Sequence, residues 1–418
     1  MTVLIKQATI IDPNSPFNGQ TKDIFIKEGI ISSISNSSKE KADKTIEGKG
    51  LHVSIGWMDI FAHFCDPGYE HRESLQTGAN AAAAGGFTDV MVLPNTNPAL
   101  HTRSQIEYVI QKSATLPVTI IPIGAVTKNT EGKELAEMYD MHESGAIAFS
   151  DGTNSIQSPG LLLKALQYVL AFEGTIIQLP DDKTINAHGM VNEGIVSTQL
   201  GLPGKPSLSE ELMIARDIEL VKYSQSRIHF TGVSTQKSIE LIKAAKAEGL
   251  QVTCSVSPYH LYFCDEDLIT YDTNLKVNPP LRTRKDMLAL RAAVKDGIVD
   301  CIASHHTPQD WDHKTSEFEY AKNGMIGLET LFGVLGDCKL PIATVVNLLA
   351  IAPRKIFGIT IPEIKEGLTA KLTLFYPSTT GIFEASMIKS KSKNSAFVGK
   401  ELTGKVAGIV NGKSSSFN

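Results

Sequence analysis

The stretch of sequence that decides the fold is Asp59-Ile60-Phe61-Ala62-His63-Phe64-Cys65-Asp66-Pro67-Gly68. It ends an apolar run that begins at Trp57. Such a run predicts a buried strand, and the Asp-Pro-Gly turn predicts where that strand stops. Alternate residues of a strand point to the same side, so Phe61 and His63 share one face. An Asp-x-His-x-His pattern on such a strand would present two imidazoles to a metal ion. Only His63 of that pair is present in this chain.

The middle of the chain alternates short apolar strands with amphipathic helical segments. One helical segment is Ser234–Gly249, with Ser234 or Thr235 as its predicted cap and Gly249 as its end. Together with Trp57–Ile60, the predicted strands are Thr88–Leu93, Val118–Gly124, Ala146–Phe149, Thr175–Gln178, Arg227–Phe230, Gln251–Ser255 and Val299–Ala303. Eight βα units in about 300 residues predict an α/β fold, a (β/α)8 barrel of the TIM type. A doubly wound open sheet is the alternative, and the missing Gly-rich phosphate fingerprint counts against it.

Both ends of the chain are rich in short strands. Near the start, the strand Asp23–Ile26 is separated from Ile30–Ile34 by a turn at Gly29, which predicts a hairpin. From about residue 366 the same pattern of short strands separated by turns returns, as in Lys371–Phe375. We therefore predict a small β-sandwich domain built from both termini, residues 1–54 plus 366–418, around a barrel of residues 55–365.

The composition narrows the class of protein. The 418 residues are 42% hydrophobic and 20% charged, which is typical of a globular protein. A net charge of −5 gives no electrostatic case for binding nucleic acid or an anionic membrane. No apolar run reaches the roughly 18 residues of a membrane span, and the N-terminus does not resemble a signal peptide. Five scattered cysteines fit reduced thiols, so we expect a cytoplasmic protein.

In a barrel of this type, residues at the carboxyl ends of the strands carry the chemistry. The segments that follow the predicted strands are therefore the candidates for a functional site. They are His63–Gly68, Leu93–Pro98, Ser150–Gly152, Gln178, Thr231–Thr235, Asn278–Arg282 and Ser304–Gln309.

These segments resemble the dihydroorotases of multifunctional pyrimidine-biosynthesis complexes, within the cyclic amidohydrolase superfamily. The resemblance covers nearly the whole chain and implies hydrolysis of a cyclic amide C–N bond. Its motifs are Asp66-Pro67-Gly68, Leu93-Pro94-Asn95-Thr96-Asn97-Pro98, Asn192-Glu193-Gly194, Leu200-Gly201-Leu202-Pro203-Gly204, Val233-Ser234-Thr235, Lys276-Val277-Asn278-Pro279-Pro280-Leu281-Arg282 and Gly327-Leu328-Glu329-Thr330.

The resemblance implies a binuclear zinc site made by four histidines, a bridging aspartate and a second aspartate that also moves protons. His63 matches the second histidine, and Asp151 matches the bridging carboxylate. The other three histidine positions hold Phe61, Gln178 and Gly232. Since phenylalanine and glycine offer no ligand atom on the side chain, the resemblance implies that the zinc pair is degraded.

The catalytic and substrate-binding positions implied by the resemblance are also changed. His305 stands where the family has its catalytic aspartate, and Gln309 replaces the histidine that closes the same motif. Cys65 replaces the arginine that holds the substrate carboxylate, and a thiol cannot supply its charged planar fork. Asn95 and Asn278 are retained as substrate contacts, although the proline-rich turns around them explain both equally well.

The leading hypothesis from the sequence is a catalytically inactive dihydroorotase homologue. The resemblance implies a structural or regulatory partner of aspartate carbamoyltransferase, and we expect a homo-oligomer with no bound cofactor. The competing hypothesis is an active dihydroorotase or related cyclic amidohydrolase. It would use a single zinc ion on the residual set His63, Asp151 and His305.

Three further hypotheses carry less weight. A hydantoinase or allantoinase would resemble enzymes with a bridging lysine, and the matching strand here carries Ile147 and no lysine. A small-molecule sensor could use the retained Asn95 and Asn278. A thiol nucleophile at Cys65 beside His63 lacks a third group to orient the base.

Overall fold

The computed structural model describes residues 1–418. The strands are β1 Thr2–Ile11, β2 Thr21–Lys27, β3 Ile30–Ser35, β4 Lys44–Ile46, β5 His52–Ile55, β6 Trp57–Ala62, β7 Phe87–Val92, β8 Thr119–Pro122, β9 Ala148–Phe149, β10 Thr175–Gln178, β11 Val191–Asn192, β12 Gly204–Lys205, β13 Ile228–Phe230, β14 Val252–Val256, β15 Cys301–Ile302, β16 Lys371–Ile382, β17 Glu401–Asn411 and β18 Ser414–Phe417. The helices are α1 Leu75–Ala84, α2 Arg103–Ser113, α3 Met138–Glu143, α4 Pro159–Val169, α5 Ile195–Leu200, α6 Leu208–Ser224, α7 Gln236–Ala247, α8 Pro258–Tyr262, α9 Arg284–Lys295, α10 Leu331–Asp337, α11 Ile342–Val346 and α12 Ala352–Ile356.

Eight parallel strands close into a barrel. Strands β6, β7 and β8 pair in that order, and β9, β10, β13, β14 and β15 form the second run. A bridge between Gly124 and Phe149 joins β8 to β9, and a bridge between Ala62 and His306 joins β15 back to β6. The predicted (β/α)8 barrel is therefore confirmed, and the doubly wound open sheet is excluded.

The predicted strand positions agree with the observed ones to within a few residues. Thr175–Gln178 is a strand with the predicted bounds, whereas the strand predicted over Val299–Ala303 is shortened to β15. Helix α7 lies inside the predicted segment: the Thr235 side chain accepts a hydrogen bond from the Ser238 amide. Gly249, with φ +81°, follows its end.

Both ends of the chain contribute to one further sheet. Its strand order is β18, β17, β16, β5, β1, β2 and β3, and β4 pairs with β1. Antiparallel pairing of β5 with β16 joins the N-terminal strands to the C-terminal ones. The hairpin predicted at Gly29 connects β2 to β3, since Lys27 faces Ile30.

A buried ion pair joins this sheet to the barrel. Asp89 on β7 accepts hydrogen bonds from Arg354 on α12 and from Lys371 on β16, at 2.5 and 2.6 Å. The Arg354 guanidinium also donates to the carbonyl of Gly56, at 2.7 Å, where the chain passes from the sheet into the barrel. Because these partners come from three elements, the pair sets the position of the sheet against the barrel.

The opening segment of the sequence also closes the barrel. Asp59 on β6 is fully buried, and its carboxylate accepts hydrogen bonds from the backbone amide and the hydroxyl of Ser304, at 2.6 and 2.8 Å. The His63 amide donates to the carbonyl of His306, at 2.8 Å. These contacts join the first strand to the segment after the last one.

The barrel interior is filled by its own apolar cluster, which includes Met58, Ile60, Phe61, Met91 and Ile177. All five cysteines are free. No helix is both long enough and apolar enough to cross a membrane.

We expect Asp59→Ala to destabilise the protein by about 2–4 kcal/mol, because it leaves two buried donors of Ser304 unpaired. Asp59→Asn is the matched control: its amide oxygen still accepts from the Ser304 amide, and its nitrogen can donate to the hydroxyl. Urea unfolding of both variants measures the difference. Equal stability of the two variants would contradict this account of the barrel closure.

Candidate functional site

Phe61, at the first histidine position implied by the resemblance, is part of the packed barrel interior. Its side chain is 2% exposed and belongs to the apolar cluster inside the barrel. Its ring lies 4.5 Å from the ring of His305, centroid to centroid, with an angle of 32° between the planes. The two residues at which the family resemblance implies a metal ligand and a catalytic aspartate therefore pack against each other, as core side chains do.

Gly232 leaves a space that His305 fills. A Cβ added at Gly232 would lie 2.8 Å from Cε1 of His305 and 2.9 Å from Cδ1 of Leu179. The backbone there has φ +68°, a conformation that favours glycine. A histidine at this position would therefore collide with His305, so the two substitutions depend on each other.

The side chain of Gln178 is held in place by hydrogen bonds within the protein. Its amide nitrogen donates to the carboxylate of Asp217 at 3.2 Å, and its amide oxygen accepts from the backbone of Ile156 at 3.4 Å. Burial raises the pKa of Asp217 to about 6. The third ligand position is thus part of a buried polar contact between β10 and α6.

His63 and Asp151, which match metal ligands in the family resemblance, also form hydrogen bonds within the protein. The backbone amide and hydroxyl of Thr127 donate to the Asp151 carboxylate. Burial nevertheless raises the pKa of Asp151 to about 6. His63 accepts a hydrogen bond at Nδ1 from the Cys65 amide, at 2.9 Å. Burial, with the nearby charge of Arg72, lowers the pKa of His63 to about 3, so its ring is neutral at pH 7.

His305 ends a chain of hydrogen bonds through the barrel interior. The ring of His229 contacts the Ser255 hydroxyl at 3.0 Å, which donates to Thr231 at 2.9 Å. The Thr231 hydroxyl lies 2.8 Å from Nε2 of His305. Burial lowers the pKa of His305 to about 3. This nitrogen is therefore occupied, and its ring is a poor acceptor of a proton at neutral pH.

The residual ligand set is not assembled in this structure. No three histidine, cysteine, aspartate or glutamate side chains lie where they could hold one metal ion together. One potential ligand atom of each residue in this set takes part in a hydrogen bond within the protein: Nδ1 of His63, a carboxylate oxygen of Asp151 and Nε2 of His305. These residues do not fit the zinc pair that the resemblance implies, because Phe61 and Gly232 supply no donor and Gln178 is held by Asp217.

The substrate-binding positions fall into two groups. Asn95, Asn278 and Gln309 line the cavity at the barrel mouth, whereas Cys65 does not. Asn95 is bonded to backbone groups of Asp151 and Thr153, as expected of a residue that supports a turn. Cys65 is 1% exposed, and burial raises the pKa of its thiol to about 12, which counts against a thiolate nucleophile.

The cations of this cavity are not among the site residues that the sequence indicates. Arg72 follows the first strand, Lys205 ends β12, and Lys322 lies in the loop after β15; all three line the mouth. Arg72 is the one that the sequence could have indicated, since it follows a strand end by a few residues. Lys276, which begins one of the family motifs, is buried and donates to the carbonyl of Phe318 at 2.6 Å.

A closed (β/α)8 barrel, a sheet from both termini and a mouth formed by strand ends define the cyclic amidohydrolase fold. Solved structures of this class superpose over the whole chain. The L-hydantoinase of Arthrobacter aurescens gives a TM-score of 0.83 at 24% identity and covers 100% of this chain and 97% of its own. The dihydropyrimidinase of Brevibacillus agri gives 0.83 at 18%, covering 100% and 95%. These likenesses confirm the predicted barrel and β-sandwich architecture.

Sequence comparison then gives the family. The family described as "Dihydro-orotase-like" matches residues 51–238. The dihydroorotase of Geotalea daltonii is 37% identical over 420 residues, covering 99% of both chains. That of Caldicellulosiruptor saccharolyticus is 39% identical over 421 residues, covering 98% of this chain and 97% of its own. The chain belongs to the dihydroorotase family.

We expect Gly232→Ala to destabilise the protein by about 2–4 kcal/mol, through the positive φ and the contact with His305. In a His305→Ala background the contact with the ring is gone, so the added cost should fall by about 1 kcal/mol or more. A double-mutant cycle on urea unfolding measures this coupling. Additive effects would contradict the packing of His305 into the space at position 232.

Proposed function

We propose that this dihydroorotase-family protein has lost hydrolytic activity and serves as a structural or regulatory subunit in pyrimidine biosynthesis. One observation carries the proposal: the His305 ring packs on Phe61 and occupies the space of a side chain at Gly232. Former ligand positions have become part of the packed interior. Replacing a polar site by packed apolar groups keeps or raises stability, so such a fold persists without its chemistry.

The chemistry supports the same proposal. Opening a cyclic amide at neutral pH needs an activated water and a group that moves its proton. At the position of the family's catalytic aspartate, the pKa of His305 is lowered to about 3 by burial. A base with this pKa is far from the pH at which it would have to work. Its Nε2 atom also lies 2.8 Å from the Thr231 hydroxyl.

Aspartate carbamoyltransferase remains our proposed partner, as in complexes of the multifunctional type. A partner role requires an intact surface and an intact fold, and the barrel with its terminal sheet is complete. We also propose a homo-oligomer. Isolation from the native host of a complex containing both proteins would support this assembly, and its absence after crosslinking would contradict it.

The second candidate is an active dihydroorotase with an altered metal site. It is favoured by relatives named dihydroorotase that match nearly the full length of the chain. A single zinc ion on His63, Asp151 and His305 would require these three side chains to converge on one point, and no three potential ligands do so in this structure.

We expect the purified protein to show no dihydroorotate turnover with added zinc or manganese, because its ligand positions are packed or hydrogen-bonded. A spectrophotometric assay of dihydroorotate formation and cleavage measures this. His63→Ala is the control, since it removes a retained ligand. Robust turnover that is lost in His63→Ala would overturn the proposal and establish the second candidate.

A restored variant tests the same point from the other side. Combining Phe61→His, Gln178→His, Gly232→His and His305→Asp rebuilds the ligand set that the family resemblance implies, and the last change frees the space at position 232. We expect zinc content, measured by elemental analysis, to rise to a stoichiometric level only in this variant. A folded variant with no gain in zinc would show that the surrounding residues also prevent binding.

A further inference from the structure

The cavity at the barrel mouth carries a charge opposite to that of the whole chain. Its volume is about 880 Å³, and it is lined by the four cations Arg72, Lys183, Lys205 and Lys322 but by a single carboxylate, that of Asp181. The chain as a whole has a net charge of −5. A cleft of one sign within low-dielectric walls concentrates counter-ions of the opposite sign.

The single carboxylate is already neutralised. Lys205 donates to Asp181 at 2.6 Å and to the amide oxygen of Asn278 at 3.0 Å. Arg72, Lys183 and Lys322 form no ion pair with any carboxylate. Three cations therefore face the cavity without a charged partner from the protein.

Arg72 is the one that is held in position. Its guanidinium donates from Nη1 to the Gln309 amide oxygen at 3.3 Å and lies over the Tyr69 ring, 4.6 Å from the centroid. Its Nε atom is buried and has no hydrogen-bond partner. A planar guanidinium that is fixed by stacking, with donors left free, matches the geometry of a carboxylate.

The position that holds a carboxylate in the family cannot do so here. Cys65 has no charge and lies outside the cavity. Arg72 lies in the same segment between β6 and α1 and brings a guanidinium into the cavity from a different point. The hydrogen bond to Gln309 joins this arginine to the segment after β15, the strand that neighbours β6 in the barrel.

From this geometry we propose that the mouth binds a small organic dicarboxylate, held by Arg72 and by the unpaired Lys322 and Lys183. The proposal rests on the proposed function, since a non-catalytic subunit with a ligand pocket would sense a metabolite and not convert it. Phe61 and His305 pack together below the cavity and do not line it. The residues that line the cavity remain available to bind a ligand.

The protein has a built-in reporter for this test. It contains two tryptophans: Trp57 is fully buried, and Trp311 is 76% exposed. Trp311 lies in the loop that supplies Gln309 and Lys322 to the cavity. Ligand binding should therefore change the emission of Trp311, and calorimetry of the full chain gives the affinity.

We use succinate as the probe and succinamide, its neutral diamide, as the matched control ligand. Succinate should bind saturably, and its affinity should fall as NaCl rises from about 20 mM to about 500 mM, because salt screens the cavity charges. Succinamide should bind at least about tenfold more weakly. The absence of saturable binding at about 10 mM succinate, or equal binding of both probes, would overturn the proposal.

Arg72→Gln should weaken succinate binding by at least about tenfold, because it removes the charged fork. Arg284→Gln, which removes the same charge from an exposed surface pair with Glu266, should leave binding within about twofold. Lys322→Gln, on an exposed residue, gives a second test that does not depend on the fold around Arg72 and should weaken binding severalfold. Wild-type affinity in folded Arg72→Gln would overturn the proposal.

Failure of this inference is distinct from failure of the proposed function. Succinate binding is measured without turnover, and dihydroorotate turnover is measured without succinate. An inactive protein that ignores succinate loses only the sensor role. An active protein that binds succinate through Arg72 loses only the non-catalytic role.

Discussion

Closure of the barrel depends on Asp59. Its buried carboxylate joins the first strand to Ser304, directly after the last one, and accepts from both the amide and the hydroxyl of that residue. Burying a carboxylate without partners is costly, so these two hydrogen bonds are a condition for its presence in the interior. Once β6 is joined to the segment after β15, the carboxyl ends of all eight barrel strands lie at the same mouth. The site residues can then meet, although they come from distant parts of the chain.

The mouth has two layers with different physical character. The lower layer is packed: the Phe61 ring lies tilted against that of His305, which takes the space above Gly232. Burial lowers the pKa of His305 to about 3, so the layer carries an uncharged ring where the family has an acid. The upper layer is an open, cation-rich cavity around Arg72 and Lys205. The proposed loss of catalysis and the proposed ligand binding are compatible, since the two depend on different side chains.

Much of the fold could be predicted from the sequence. Apolar predicted strands of four to seven residues, separated by amphipathic helices, specify parallel βα units. Strand β10 has the predicted bounds because turn residues flank it clearly. The short ribbon of β11 and β12 was not predicted, since two-residue strands leave no periodic signal. For β5 and β16, the sequence predicted only that short strands at both ends of the chain form one domain, without the pairing between them. Its register follows from contacts between residues more than 300 positions apart.

The sequence alone determined that Phe61, Gln178 and Gly232 stand at the positions where the family resemblance implies metal ligands. Tertiary structure alone decided what those residues do. That His305 fills the space at Gly232 follows from two strand ends meeting at one mouth. That Arg72 reaches Gln309, 237 positions away, follows from the bridge between Ala62 and His306, which places the segments after β6 and β15 side by side. The physical reason is that side-chain identity is local, whereas packing, burial and the resulting charge state depend on neighbours that only the closed barrel supplies.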